Sequence, residues 1–285
     1  MEIIIGKTAG FCYGVKNAVE KSTEELKKEK ELCCLGEIVH NKQVVEDLEQ
    51  QGMEFIEDLK ENTTKKKTVI RAHGVSKKIY NDAENNGINL IDLTCPMVLK
   101  IHKIVEEYEL EGYFIFVIGA KNHPEIIGTV GFCNENYFII ENQSEIDNAL
   151  DAFEKSGRDK LAVVVQTTFS LERFSNISEE IKLKSKCSDL KIINTICNAT
   201  RLRQEETEEL SKKVDFMIII GGKNSSNTKK LFEIAIRNCK YTVSVETLEE
   251  LDINELKKYN KIGIMAGAST PPKSIQDIVN LLKNA

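Results

Sequence analysis

Three cysteines, spread widely along a chain of 285 residues, open the same pattern three times. Cys12 in "AGFCYGV", Cys95 in "LTCPMV" and Cys197 in "TICNAT" each precede a helix-patterned run and then an apolar run ending in glycine. Those glycines are Gly36, Gly119 and Gly221, each 24 residues beyond its cysteine, and His40, His123 and Ser225 follow at an offset of 28. Farther on, "VIRAHGVS", "VVVQTTFS" and "IMAGAST" present His73, Thr167 and Ser269 at offsets of 61, 72 and 72, so the first copy is shorter there. Agreement at two offsets in three places identifies a threefold internal repeat. Its period exceeds the roughly 20–50 residues of solenoid units, so each copy is predicted to be a small α/β domain.

The alternation along the chain sets the fold class. Short β-branched runs such as "IIIG", "LCCLG", "VIRA", "NLIDL", "FIFVIG", "LAVVV", "IIN", "FMIIIG", "TVSV" and "IGIMA" read as strands. Between them lie helix-patterned segments, among them Val15–Lys28, Val98–Leu110 and Ser274–Leu282. Strands and helices in this order predict an α/β protein with mostly parallel sheets. In such sheets the strand C-termini line the ligand crevice, and the matched cysteines, histidines, threonine and serines all fall at those ends.

Charge and composition exclude some functions. A formal net charge of −6 argues against non-specific nucleic-acid binding, which rests on a basic surface. It leaves room for an anionic small molecule held by neutral donors and helix N-termini. No basic leader and no run near ~20 apolar residues is present, so the expectation is a cytoplasmic protein without membrane contact. Eight cysteines in that compartment are expected to stay thiols, and the special ones to serve catalysis or metal binding. Cys33 and Cys34 sit inside an apolar strand, and Cys133, Cys187 and Cys239 have no repeat partners; these five read as structural.

Repeats related by pseudo-threefold symmetry would bring three thiolates, Cys12, Cys95 and Cys197, to one centre. Soft thiolates select zinc or iron–sulfur clusters. Zinc would require a fourth ligand or a water; a cubane held by three cysteines leaves one iron able to bind a hydroxyl. Around the centre the sequence places His40, His73 and His123, with His102 set apart inside a helix pattern as a structural residue. "GGKNSSN" is a glycine-led polar turn before a helix, and Ser225, Ser226 and Asn227 with Ser269, His40 and His73 make a candidate diphosphate cradle. Glu125, in "HPE", is the carboxylate of the set; a partly buried glutamate with raised pKa would suit proton delivery, and Thr167 would pass or orient the proton. A non-catalytic iron–sulfur carrier would be expected to use four cysteines and to need no phosphate cradle. A zinc hydrolase would be expected to use a site richer in histidine.

In combination and order, "AGFCYGV", "GEIVHN", "RAHGVS", "DLTCP", "HPE", "VVVQTT", "NTICNATRLRQ", "NSSN" and "AGAST" resemble the 4-hydroxy-3-methylbut-2-enyl diphosphate reductase family over essentially the whole chain. The resemblance implies a trefoil of three α/β domains around an oxygen-sensitive 4Fe-4S cluster, one per chain, ligated by Cys12, Cys95 and Cys197. It implies domains at 14–96, 97–194 and 195–285, the last completed by the N-terminal segment 1–13. It also implies that the hydroxyl of an allylic diphosphate is removed with two electrons from ferredoxin or flavodoxin, giving isopentenyl and dimethylallyl diphosphate. Glu125 would be the proton donor, with His123 and Thr167 beside the alcohol and the relay. His40, His73, Ser225, Ser226, Asn227 and Ser269 would hold the diphosphate.

Overall fold

Strand–helix alternation runs through the whole computed structural model, which describes residues 1–29, 31–64 and 66–284. The chain opens with β1 (Glu2–Ile5), α1 (Tyr13–Lys28), β2 (Leu32–Leu35), α2 (Lys42–Gln50), β3 (Met53–Ile56), β4 (Thr68–Ile70), α3 (Lys77–Asn86) and β5 (Leu90–Asp92). The middle stretch comprises α4 (Pro96–Leu110), β6 (Phe114–Ile118), α5 (Pro124–Val130), β7 (Tyr137–Ile140), α6 (Ile146–Lys155), β8 (Lys160–Val165), α7 (Leu171–Lys184) and β9 (Asp189–Ile192). The last comprises α8 (Asn198–Ser211), β10 (Phe216–Ile220), α9 (Ser226–Asn238), β11 (Thr242–Val245), α10 (Ile253–Leu256), β12 (Lys261–Ala266) and α11 (Pro272–Lys283).

Among the described residues these strands form three four-stranded sheets, ordered β3-β2-β4-β5, β7-β6-β8-β9 and β11-β10-β12-β1. Every registered pair in them is parallel. One strand order recurs, and its far edge is β5, β9 and β1, the strands that precede Cys95, Cys197 and Cys12. In the third sheet that edge comes from the start of the chain: β1 pairs with β12, Ile4 opposite Gly263 and Ile5 opposite Ile264.

Parallel sheets covered by helices on both faces are built from near-continuous apolar strands, and the period of two sends alternate residues to opposite sides. Phe114, Phe116 and Ile118 of β6 join one core with Val163 and Val165, while Ile115 and Val117 join another with Ala162 and Val164. In the third sheet Ile218, Ile220 and Ile264 face one core, and Met217, Ile219 and Met265 the other. Each such buried Val, Ile, Phe or Met side chain contributes roughly 1.5–3 kcal/mol relative to exposure.

The described chain forms two compact units, Met1–Val19 with Val39–Leu48 and Asn198–Ala285, and Glu20–Ile38 with Glu49–Cys197. The third sheet belongs to the former and the other two to the latter. No helix among the described residues is long and apolar enough to cross a membrane.

The structure adds β3 and β7, which were not among the predicted strands; both are sheet edges, partly exposed and short. The "IIN" run is reached only by the end of β9, which spans Asp189–Ile192. Helices α1 and α4 begin at the residue directly after Cys12 and Cys95, two positions earlier than their apolar spacing implied.

Candidate active site and metal centre

Each repeat cysteine occupies the same local position. Cys12 lies directly before α1, Cys95 is the N-cap of α4, and Cys197 lies directly before α8. Their amides donate to the carbonyls of Ala268 (3.1 Å), Ala72 (3.0 Å) and Thr167 (3.1 Å), so each is pinned to the end of the neighbouring strand. Pro96 at the first helical position of α4 fits because its missing N–H is one that a helix start leaves unpaired anyway. All three thiols are partly exposed, whereas Cys33, Cys34, Cys133 and Cys239 are buried, and none of the eight forms a disulfide. Burial pushes the Cys34 thiol far up, and the Cys133 thiol up to about 12, which keeps both protonated.

The same hydrogen bonds correct one alignment. Turns closed by the amides of Thr270, Gly74 and Phe169 to the carbonyls of Gly267, Arg71 and Gln166 put Ser269, His73 and Thr168 in equivalent places. Thr167 is therefore the counterpart of Ala268 and Ala72, one position earlier than the equal offset of 72 from the cysteine suggested. The connection from cysteine to strand end differs by one residue between the second and third repeats, which sequence spacing alone does not reveal.

In the unit that carries the first two sheets, His73, His123, Glu125 and Thr167 form a continuous polar set. The His73 and His123 rings meet edge to face at 5.3 Å. His123 is the N-cap of α5, its Nδ1 accepting the Glu125 amide at 3.1 Å, which leaves the proton of the neutral ring on Nε2. Glu125 is 2% exposed. Its Oε1 accepts the Thr167 amide at 2.6 Å and its Oε2 the Thr167 hydroxyl at 2.6 Å. Burial raises its pKa to about 7, with the two Thr167 hydrogen bonds pulling the other way. His102 stays outside this set, buried in α4 and stacked on Phe132, and desolvation lowers its pKa to about 4.

The other unit holds His40, Ser225, Ser226, Asn227 and Ser269. Ser225 is the N-cap of α9, its hydroxyl accepting the Thr228 amide at 3.2 Å, so Ser226 and Asn227 occupy the first turn, where the helix dipole favours an anion. The His40 carbonyl accepts the Ser269 hydroxyl at 3.1 Å. It also lies so close to Gly222 that a Cβ there would come within 2.7 Å of it, so residue 222 must be glycine for the histidine loop to lie against the serine turn. Asn227 is 3% exposed, yet neither atom of its side-chain amide has a partner among the described residues. A buried amide left unsatisfied costs about 1–3 kcal/mol, and an anion at the α9 N-terminus would accept a hydrogen bond from its Nδ2.

Arg203, within "NTICNATRLRQ", and Glu206, just beyond it, were not among the residues the sequence pointed to. The signal available was charge at positions three apart on a helix; only the structure shows that Arg203 is buried and that both bind the loop before Cys12.

The chain matches the protein-family model described as LytB protein over residues 3–283. It is 47% identical, across its full length and 97% of the relative's, to a curated 4-hydroxy-3-methylbut-2-enyl diphosphate reductase of Caldanaerobacter subterraneus subsp. tengcongensis. It is 41% identical, over the full length of both chains, to the enzyme so described in Clostridioides difficile. Among solved structures it is similar to the E-1-hydroxy-2-methyl-but-2-enyl-4-diphosphate reductase of Plasmodium falciparum, with 36% identity, a TM-score of 0.89, and coverage of 99% of this chain and 88% of that one. A second, described as the terminal enzyme of the non-mevalonate pathway, is 39% identical with a TM-score of 0.73 over all of both chains.

Proposed function

The chain belongs to the LytB protein family, and on that premise we infer that it reduces 4-hydroxy-3-methylbut-2-enyl diphosphate to isopentenyl and dimethylallyl diphosphate, the last step of the non-mevalonate route. The reaction takes in two electrons and two protons, breaks the C–O bond of the allylic alcohol, forms one C–H bond and releases water. The observation that carries the reading is Glu125: a buried carboxyl poised near pH 7 and held at both oxygens by one residue. Expelling a hydroxyl as water at neutral pH needs such an acid.

The family is iron–sulfur dependent, and the donor set fits such a group. Cys12, Cys95 and Cys197 are three soft ligands at equivalent positions, each partly exposed and beside a helix N-terminus that favours a thiolate and a negatively charged cluster. These three would hold one 4Fe-4S cluster, which when bound supplies electrons and a Lewis-acidic iron for the alcohol. Domain limits of 14–96, 97–194 and 195–285, the last with 1–13, go with this assignment, one cysteine helix to each.

The remaining chemistry belongs to side chains. Protonated Glu125 donates from Oε2 to the Thr167 hydroxyl at 2.6 Å, and that hydroxyl turns its own proton toward the departing oxygen. His123, carrying its proton on Nε2, orients the alcohol, and His73 packs against its ring. Ser225, Ser226, Asn227 and Ser269 with His40 and His73 receive the diphosphate; Asn227 contributes an amide already stripped of water. Ferredoxin or flavodoxin would deliver the electrons, and a cytoplasmic setting would keep the eight cysteines reduced.

Anaerobic purification and a turnover assay with a reduced low-potential dye test the whole reading. A brown protein holding about four irons and four sulfides per chain, which forms both products, is the expected result. A colourless zinc protein without turnover would overturn it.

A further inference from the structure

The connection that delivers Cys12 differs from the other two. Six residues separate the end of β1 from Cys12, against two between β5 and Cys95 and four between β9 and Cys197. The shorter connections are braced by side chains of their own neighbourhood. Asp92 Oδ1 accepts the Thr94 amide at 2.9 Å, and the Thr195 hydroxyl accepts the Val165 amide at 2.9 Å. The longer one is braced from a distance. On one side the amides of Gly10 and Cys12 donate to Ala266 and Ala268 at the end of β12. On the other side stands α8, whose buried face is unusually polar, with Arg203, Gln204 and Thr207 all inside.

Two residues of that helix, three apart and hence on one face, divide the loop's backbone groups between them. Glu206 takes the donors: Oε1 accepts the Lys7 amide at 2.6 Å, and Oε2 accepts the Thr8 amide at 2.8 Å and the Thr8 hydroxyl at 2.5 Å. Arg203 takes the acceptors: Nε donates to the Thr8 carbonyl at 2.9 Å and Nη2 to the Gly10 carbonyl at 2.7 Å. These partners lie 193 to 199 residues apart in sequence. A Cβ on Gly6 would come within 2.0 Å of Sδ of the buried Met265 in β12, so any larger residue there would displace the loop from the sheet. Burial acts to raise the Glu206 pKa, but its bonds to Thr8 and Lys7 outweigh this and hold it below the usual carboxylate value, so the clamp is ionised at neutral pH.

We propose that Arg203 and Glu206 are positioning residues that hold the Lys7–Gly10 backbone, and through it the Cys12 thiol, in its ligating conformation before any metal arrives. An unbraced six-residue connection would have to be ordered on cluster binding, and backbone ordering costs about 1–2 kcal/mol per residue. The clamp does that ordering during folding. The same helix starts at the residue after Cys197, so one element braces one cysteine loop and continues from another. The proposal rests on the reading of Cys12 as a cluster ligand.

The test uses the full-length chain prepared without iron under anaerobic conditions. Iodoacetamide labelling is followed cysteine by cysteine, with hydrogen exchange read at the Lys7 and Thr8 amides. Glu206→Ala is expected to speed labelling of Cys12 at least tenfold and exchange at Thr8 by more, with Cys95 and Cys197 labelled at the wild-type rate. Glu206→Gln is expected to recover part of the protection. After reconstitution the Ala variant should release iron to a chelator faster and show an altered electron paramagnetic resonance signal from the reduced cluster. If it does not fold, Glu206→Gln and Arg203→Lys carry the same comparison at smaller amplitude. Unchanged Cys12 labelling overturns the clamp, as does faster labelling with unchanged iron release. Iron counting in Cys12→Ser separates the two layers: iron lost there while Glu206→Ala behaves as wild type removes only the clamp. Full iron in Cys12→Ser removes the ligand assignment itself.

Discussion

Thr167 holds both oxygens of the Glu125 carboxyl group, its amide on Oε1 and its hydroxyl on Oε2, each at 2.6 Å. The two bonds act unequally on a proton. The amide can only donate, so it always favours the ionised form. The hydroxyl can donate or accept, so it serves either form of the acid and can pass the proton outward. Burial works against both bonds and leaves the group poised near pH 7.

Activity should therefore fall above about pH 7 as Glu125 loses its proton. Glu125→Gln should keep its iron and sulfide while losing roughly 100-fold or more in turnover, the usual worth of a general acid. A variant retaining near-normal rates would move the proton source elsewhere.

The same group makes a stability prediction. Its folded pKa of about 7 lies above the ordinary 4.5, so the folded state binds the proton more tightly. The resulting stability is fully present below about pH 4.5 and is lost as pH rises through 7, on the order of 3 kcal/mol in all. Denaturant unfolding of the cluster-free chain between pH 4.5 and 8 should show this loss in wild type and its absence in Glu125→Gln. Parallel curves for the two would contradict the assignment.

Thr167→Val removes the hydroxyl but keeps the amide, so the ionised form of Glu125 loses one of its two bonds. The alkaline limb of the rate profile should move up by about one pH unit, with turnover reduced because the relay is gone. Thr167→Ser should restore both. Equal profiles for Val and Ser would remove the hydroxyl from the mechanism.

Asn227→Leu replaces a buried, unpartnered amide with an apolar group of similar size. The ligand-free protein should be unchanged or more stable by up to about 1 kcal/mol. Binding of inorganic diphosphate, followed by calorimetry, should weaken at least tenfold. Unaltered affinity would place the anion away from the α9 N-terminus.

Serine at position 12, 95 or 197 should each lose most of the iron and sulfide, since each removes one of three anchors. Cys33→Ala, inside the buried β2 strand, should keep both. Iron and sulfide counts on anaerobic preparations decide the matter; a full complement in any of the three serine variants would strike that cysteine from the ligand set.

The sequence by itself determined the repeat, the three cysteines at its origin and the apolar strands of the sheets. These follow from local rules: strand pattern, turn glycines and the residue types that carry chemistry at strand ends. The edge strands β3 and β7 escaped because half-exposed edges are short and carry weak patterns. Tertiary structure alone decided that Thr167 aligns with Ala72 and Ala268, because loop lengths shift register without leaving a periodic trace. It alone decided that Glu125 is buried, which sets its proton affinity through desolvation. And it alone brought Arg203 and Glu206 to a loop some two hundred residues earlier in the chain, because a contact at that separation exists only once β1 has paired with β12 to complete the sheet.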